Sequence, residues 1–302
     1  MIGWRYHLIS IVAVFLALAL GLLIGTAFLN DRLVADLQAR TEALQADRDA
    51  LAAQLRSLRQ QTEDTYPFLV EGRLQGLDVV ILTHTGSDGR PMARVRDALD
   101  RAGARLVTTL EIQPALTDPT AEQTARLAEI MSAAPDATPE VVVDEAWRAL
   151  GRRLASGQIA GPDEDDLLTH LLLGEFLRAT DPEIVTVRSV GGPDQSFVVV
   201  GGTTSDTLDV PTEFLVGMTQ ILTEQGAIVA VGEDLTTSVS GLVTSVRSDV
   251  SESRGPVVTV DNLADPLGGV ALVLGLRFAR ESGQGGNYGL GEDADLLPPP
   301  AT

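Results

Sequence analysis

Four short segments hold the main candidate groups for chemistry in this sequence. His84, Ser87 and Asp88 lie in the segment His84–Gly89, directly after an apolar strand-like stretch, where α/β proteins usually bind ligands. The members of a catalytic triad converge from separate loops, and the segment has neither a G-x-G-x-x-G nor a G-x-x-x-x-G-K pattern. Its composition therefore favours a polar turn over an active site.

Three further segments could bind ions. Gly191-Gly192 and Gly201–Asp206 offer backbone amides that could cradle an anion at a strand end, although Gly-Gly turns are common. The acidic run Asp163–Asp166 could attract a hard cation. Four consecutive acids cannot all face one ion, and Pro162 precedes them, so a helix start whose acids suit the helix dipole is the favoured interpretation.

Soft-metal chemistry has little support among the side chains. Copper(I) prefers thiolate or thioether ligands, and imidazole also serves. The chain has no cysteine, and its histidines and methionines do not pair at ligand spacing: His7, His84, His170, Met1, Met92, Met131 and Met218. His170 lies in the mostly apolar stretch Leu167–Leu173 and is predicted to be a core histidine. The sequence thus leaves any metal site unknown and predicts no catalytic residue and no cofactor site.

Charge and composition exclude several classes of protein. The 302 residues carry a formal net charge of -20, with 42 acidic residues against 22 basic ones. All the basic residues are arginine, so P-loop lysines and Schiff-base lysines are absent. An acidic chain is poorly suited to bind nucleic acid, because phosphate contacts require positive charge. Without cysteine, no disulfide or thiolate site can form.

An uncharged apolar stretch near the N-terminus predicts a membrane location. Leu8–Leu29 would form a helix of roughly 33 Å, enough to cross the hydrocarbon core. Arg5 precedes it and Asp31 follows it, which favours a cytoplasmic N-terminus and an extracytoplasmic main domain. A cleaved signal peptide is the alternative, but the apolar run is too long and the basic segment too thin for a typical one.

Small residues recur every four positions in this helix. Ala13, Ala17, Gly21 and Gly25 would form one stripe that lets another helix approach closely, although ordinary Ala and Gly content explains the pattern equally well.

A helical stalk is predicted after the membrane span. Leucines recur at seven-residue spacing, as expected for the d positions of a short coiled coil: Leu37, Leu44, Leu51 and Leu58. The a positions are only half apolar, so one amphipathic helix docked on the next domain remains an alternative. We expect a homodimer through this stalk, which Pro67 and Gly72 would end.

The rest of the chain predicts a largely parallel α/β sandwich, because continuous apolar strands alternate with helices. Strands are predicted at 77–83, 105–112, 184–188, 197–200, 227–231 and 257–260, and helices at 92–102, 121–133, 140–156, 164–179, 211–225 and 266–281. The resulting organisation is an anchor at 1–30, a stalk at 31–66, an extracytoplasmic α/β domain at 67–282 and a Gly- and Pro-rich acidic tail at 283–302, extended or disordered.

Two segments together resemble a known family. The N-terminal Trp4–Leu29 and the C-terminal Val257–Gly291 are similar to those of the actinobacterial copper transport protein B (MctB-like) family. The most specific part is the run Thr259, Val260, Asp261 and Asn262, followed by a helix and by Tyr288 and Gly289. The resemblance in layout covers nearly the whole chain.

The resemblance implies a role in copper homeostasis, and copper enters the prediction only through it. Corynebacterial relatives imply an alternative, a non-enzymatic scaffold that controls cell division and cell-wall hydrolysis with a partner protein in the envelope. A third hypothesis from the residues is an anion or small-molecule sensor that uses the segments at 84–89 and 201–206. No catalytic or metal residues are carried over from the family, and no enzyme activity is predicted.

Overall fold

The computed structural model describes residues 3–134, 136–157, 166–180, 187–202, 210–235, 238, 241–250 and 254–299. The chain divides into two compact units, Met1–Gln61 and Thr62–Thr302.

The first unit is the greater part of one long helix. Helix α1 spans Gly3–Val70, and its segment Tyr6–Leu23 is long and apolar enough to cross a membrane, as judged by length and composition. Ala13, Ala17 and Gly21 are exposed on it, whereas the surroundings of Gly25 lie outside the described residues. The predicted helix-packing stripe stays a prediction.

The four leucines of the predicted stalk also lie in α1 and are exposed. Their exposed fractions are 53% for Leu37, 69% for Leu44, 60% for Leu51 and 58% for Leu58. No second helix covers this face in the described chain, so the coiled coil stays a prediction as well.

The second unit is a mixed α/β domain, as predicted. Its strands are β1 (Asp78–His84), β2 (Arg105–Ile112), β3 (Leu177–Thr180), β4 (Gln195–Val200), β5 (Val229–Gly232), β6 (Val257–Val260) and β7 (Gly286–Tyr288). Its helices after α1 are α2 (Gly89–Ala102), α3 (Pro114–Thr117), α4 (Ala121–Met131), α5 (Pro139–Ser156), α6 (Leu167–Leu173), α7 (Thr212–Glu224), α8 (Leu242–Asp249) and α9 (Pro266–Ser282).

The strands form one seven-stranded sheet in the order β3-β2-β1-β4-β5-β6-β7. Every pairing is parallel except that of β2 with the edge strand β3. Strands β2 and β3 lie on one side of β1, and strands β4 to β7 lie on its other side. The switch point between β1 and β4 is where open α/β sheets usually bind ligands.

Each face of the sheet has its own apolar core. Along a strand, side chains alternate between the two faces, so Val79 and Ile81 pack with α2, α9 and the end of α1, whereas Val80 and Leu82 pack with the opposite helices. That opposite layer contains α4, α5, α6, α7 and α8. This burial of both faces explains why the parallel strands are continuously apolar in the sequence.

The last crossover has a hand opposite to that of the others. Strands β4 to β7 follow one another in the same direction across the sheet, yet α7 and α8 cover one face and α9 covers the other. The β1–α2–β2 crossover runs in the reverse direction on the α9 face and so shares the hand of the α7 and α8 connections. Since parallel crossovers are right-handed in about 98% of cases, β6–α9–β7 is the exception.

The structure corrects several predicted elements. The helix predicted at 164–179 is wrong in its second half, because α6 ends at Leu173 and β3 follows; Gly174 and Glu175, the latter with φ of 60°, form the turn between them. Of the strand predicted at 184–188, the described part is a 3₁₀ turn, Val187–Ser189. Helix α8 was not predicted. Helix α1 continues past Pro67 to Val70.

The structure describes the tail beyond Gly283 as far as residue 299. Strand β7 pairs with β6, and Asp295 in turn forms a bridge with Tyr288 on the outer side of β7. The tail is therefore partly extended, which is one of the two predicted alternatives, extended or disordered. It covers the β7 edge of the sheet.

The last two turns of α1 dock on the domain. Tyr66 and Val70, four residues apart and so on one helix face, are 2% and 0% exposed. The Arg94 guanidinium lies 5.1 Å from the centre of the Tyr66 ring and donates to Glu63 at 2.7 Å. Burial, followed by the charge of Asp97, raises the pKa of Tyr66.

This docking predicts a contrast between two neighbouring aromatic residues. Tyr66→Ala should lower the free energy of unfolding of the α/β domain by about 3–5 kcal/mol, because it empties a buried site. Phe68→Ala, at a position that is 77% exposed, should change it by less than about 0.5 kcal/mol. Urea titration followed by circular dichroism measures both. Equal effects of the two substitutions would contradict the docking.

Candidate functional site

The loops that follow β1 and β4 meet at the switch point, as their sequence positions predicted. The amide of Asp88 donates to the carbonyl of Gly202 at 2.8 Å, and the Thr83 hydroxyl donates to the carbonyl of Val200 at 3.2 Å. Asp88 also accepts from the amide of Arg90 at 3.0 Å and caps α2. The Asp88 backbone and Thr83 thus hold the two loops together, while the Asp88 side chain caps α2, which agrees with a polar turn.

The histidines do not form a site. His84 is the last residue of β1 and only 2% exposed, with Nδ1 2.8 Å from the carbonyl oxygen of Thr85. His170 is half-buried on α6, so its prediction as a core histidine is only partly right.

The glycine pairs are used for packing or lie partly outside the described residues. Gly192 donates its amide to the carbonyl of Leu154 at 2.7 Å, and the amide of Gly191 is taken by the side chain of Gln195 at 2.7 Å. A side chain on Gly191 would collide with Leu154. Both amides therefore have protein partners and are not free to cradle an anion. Of the segment 201–206, residues 203–206 lie outside the description.

The acidic run contributes one described residue, Asp166, which precedes α6 at the N-cap position but makes no side-chain capping bond. Its side chain is 4% exposed and accepts from Arg153 Nε at 2.7 Å. Arg153 is buried as well and donates to the carbonyls of Val190 and Val187, both at 3.0 Å. A buried ion pair with its remaining donors satisfied fixes loop geometry, and removal of one partner would strand a buried charge.

The family motif builds the most extensive buried polar network in the described part of the chain. Asp261, directly after β6, is 2% exposed. It accepts from the amides of Leu290 and Gly291 at 2.7 and 3.1 Å and pairs with Arg247 on α8 at 3.0 Å. One carboxylate thus joins strand β6, helix α8 and the tail.

The rest of the network follows from Arg247. Its guanidinium donates to the Thr259 hydroxyl at 2.8 Å and to the Tyr288 carbonyl at 3.1 Å. Thr259 in turn donates to the side chain of Asn287 at 2.9 Å, and burial raises the pKa of Tyr288. Strands β6 and β7 are therefore linked by side chains in addition to their short ladder.

Three further motif residues have structural roles. Gly289 has φ of 132°, and a side chain there would collide with the Asp261 carboxylate. Asn262 is 3% exposed and forms a bridge with Asp234 beside β5. Val260 is fully buried in the core beneath α9. The structure brings Thr259, Asp261, Tyr288 and Gly289 together, in a structural role.

Sequence reasoning missed the basic half of this network. Arg247 lies on the unpredicted helix α8, and no periodic signal distinguished it from other arginines. Sequence reasoning also missed Glu233, which follows β5. It is fully buried and accepts from the Val243 amide at 2.7 Å and from the Ser238 hydroxyl at 3.0 Å.

No metal centre is present in the described residues. They contain no group of three or more His, Cys, Asp or Glu side chains placed to hold an ion. Met218 is fully buried and Met92 is 8% exposed, so both thioethers belong to the two apolar cores. The donor set does not fit a resident copper(I) ion, which needs soft ligands that converge.

Fold and network define a mixed α/β protein with an apolar N-terminal helix that could span a membrane. Residues 1–299 match the family described as "Copper transport outer membrane protein, MctB", and the chain belongs to that family. It is 25% identical over 309 residues to the copper transporter MctB of Mycobacterium bovis and of Mycobacterium tuberculosis, a match that covers 97% of this chain and 98% of each relative. The Mycobacterium leprae relative is 24% identical over 330 residues, which covers 99% of this chain and 100% of its own.

The Asp261 network predicts a local effect of substitution. Asp261→Ala should leave Arg247 buried without its carboxylate and release the amides of Leu290 and Gly291, at a cost of about 3–5 kcal/mol in unfolding free energy. Hydrogen exchange at residues 286–291 should then accelerate well beyond that of α5. The exposed Asp293→Ala in the same tail is the control, and unchanged protection in Asp261→Ala would contradict the role of the carboxylate.

Proposed function

We propose that this protein takes part in copper homeostasis or transport across the cell envelope, as a membrane-anchored protein whose α/β domain lies outside the cytoplasm. The observation that carries the proposal is the family match over residues 1–299, together with relatives named copper transporters over nearly their whole length.

The physical features restrict how it would act on copper. One apolar helix cannot line a pore alone, and the described residues do not form a copper(I) site. We therefore infer an accessory role, in which the anchored domain assembles with or regulates other components while copper is the cargo. No reaction is proposed for the domain.

The proposed orientation has the α/β domain outside the cytoplasm, in keeping with the family's description as an outer membrane protein. Arg5 and the terminal amine precede the apolar segment, on the side that the positive-inside rule assigns to the cytoplasm. The comparisons give no support to the alternative role in cell division, and no described feature favours it over copper handling.

The proposal predicts a phenotype that depends on the anchor. A deletion strain of the encoding organism should accumulate more copper than its parent in copper-supplemented medium, and the full chain should restore the parental level. A version in which residues 1–30 are replaced by a cleavable leader should fail to restore it at equal abundance. Cellular copper is measured by mass spectrometry. Unchanged copper content in the deletion strain would contradict the proposal.

We also propose that the stalk forms a parallel homodimer. The support is the leucine spacing together with the exposure of Leu37, Leu44, Leu51 and Leu58 on α1. Coiled-coil partners bury such a stripe by packing d-position leucines of two helices against each other.

The absence of cysteine from the chain allows a direct test of the dimer. Leu44→Cys lies in the predicted seam and should form an intermolecular disulfide on mild oxidation of the full chain in membranes. Ala46→Cys, two residues further along the helix and on its outer side, should cross-link much less. Non-reducing electrophoresis separates the two products. Equal cross-linking of both variants would overturn the stalk dimer.

A further inference from the structure

A groove of about 240 Å³ lies between α5 and α7, in the helix layer opposite α2 and α9. It belongs neither to the switch point nor to the Asp261 network. Its lining comes from these two helices alone: Asp144, Trp147, Arg148, Glu213, Phe214, Gly217, Gln220, Ile221 and Glu224.

The floor of this α5–α7 groove is aromatic. Trp147 and Phe214 meet edge to face, with ring centroids 5.2 Å apart and planes at 89°. Trp147 is only 4% exposed, whereas Phe214 is half-buried. Gly217 keeps the floor open, because it adds no side chain above the indole ring.

The rim of the groove is acidic. Asp144, Glu213 and Glu224 contribute three carboxylates, against one guanidinium, that of Arg148. Arg148 is already paired with Asp144 at 2.8 Å. Two negative charges therefore remain around an aromatic floor, which is the arrangement that attracts a cation with an apolar stem.

The indole of Trp147 provides a second, independent observation. Its Nε1–H is buried and has no hydrogen-bond partner among the described residues. A methyl group placed on Gly217 would lie 3.4 Å from this nitrogen, so the donor sits directly beneath the open floor. Buried donors are normally paired, and an unpaired one needs an explanation. A carbonyl oxygen in the groove would supply the acceptor once the side chains that cover this nitrogen shift, because Nε1 is closed to solvent in the structure.

We infer that the α5–α7 groove binds a basic peptide segment of a partner protein. A main-chain carbonyl of the peptide accepts from Trp147 Nε1, and an arginine or lysine side chain lies along Phe214 with its charge among the rim carboxylates. A peptide supplies both the acceptor and the cation, which a simple metal ion or an acidic ligand does not. The inference is independent of the copper role.

Trp147 itself reports the binding. The full chain contains two tryptophans, so Trp4→Phe leaves Trp147 as the only indole. This variant, in detergent micelles, is titrated with a capped octapeptide of alternating arginine and alanine. We expect a saturable change in fluorescence that weakens as salt rises. Matched peptides with glutamate or glutamine in place of arginine should give at least roughly tenfold weaker binding.

Two substitutions in the Trp4→Phe background locate the site. Gly217→Ala adds the methyl group over Nε1 and should weaken binding about tenfold, while the helix retains or gains stability because Ala is the better helix former. Glu213→Gln removes one rim charge and should weaken it about fivefold. Glu145→Gln, on α5 but outside the groove, is the control and should bind as the parent does.

The outcomes separate the inference from its rivals. Absence of saturable binding, or equal affinity for the arginine, glutamine and glutamate peptides, would overturn it. Parental affinity in both Gly217→Ala and Glu213→Gln would place the peptide elsewhere and overturn the groove as its site. Thermal melts of the variants show whether each remains folded, and if Gly217→Ala does not, Glu213→Gln against Glu145→Gln decides.

Discussion

The α/β domain depends on the burial of the last two turns of α1 against α2 and α9. Tyr66 and Val70 complete the apolar core on that face of the sheet, and the amides of Gly72 and Leu74 donate to the carbonyls of Arg101 and Ala102 at 3.1 and 2.8 Å. Gly269 on α9 makes room for the Tyr66 ring, since a side chain there would come within 3.1 Å of its hydroxyl. A segment that the sequence presents as the end of a stalk is therefore part of the domain core.

The final crossover has the opposite hand because α9 packs beside α2, on the face opposite α8. Strand β7, which follows it, has only three residues. So short an edge strand has few backbone hydrogen bonds of its own. The Arg247–Asp261 pair and the Thr259–Asn287 bond supply side-chain links, and the tail residue Asp295 covers the outer edge of β7.

The most specific motif of the chain is thus architectural. Thr259 and Asp261 are paired with Arg247 and with the tail, and the described residues hold no converging soft ligands. Such a domain fits a copper transport family if the protein acts through other components. The acidic, aromatic groove between α5 and α7 is a surface for docking one of them. The groove lies in the helix layer opposite α2, α9 and the end of α1. A partner bound in the groove would therefore leave the face that holds α1 uncovered.

The sequence by itself determined the apolar N-terminal helix, the buried strands and the two terminal segments that indicated the family, because length, composition and local periodicity encode these features. It also singled out Thr259, Asp261, Tyr288 and Gly289 as part of the most specific stretch of the family resemblance. Periodicity could not distinguish helix from strand in the apolar stretch around β3. The turn at Gly174 and Glu175 ends α6 there, and the chain continues as a strand. Only the tertiary structure revealed Arg247 as the partner of Asp261, Tyr66 as a core residue, and the groove over Trp147. Each of these depends on residues distant in sequence that become neighbours when helices pack on a sheet, and no local pattern records such contacts.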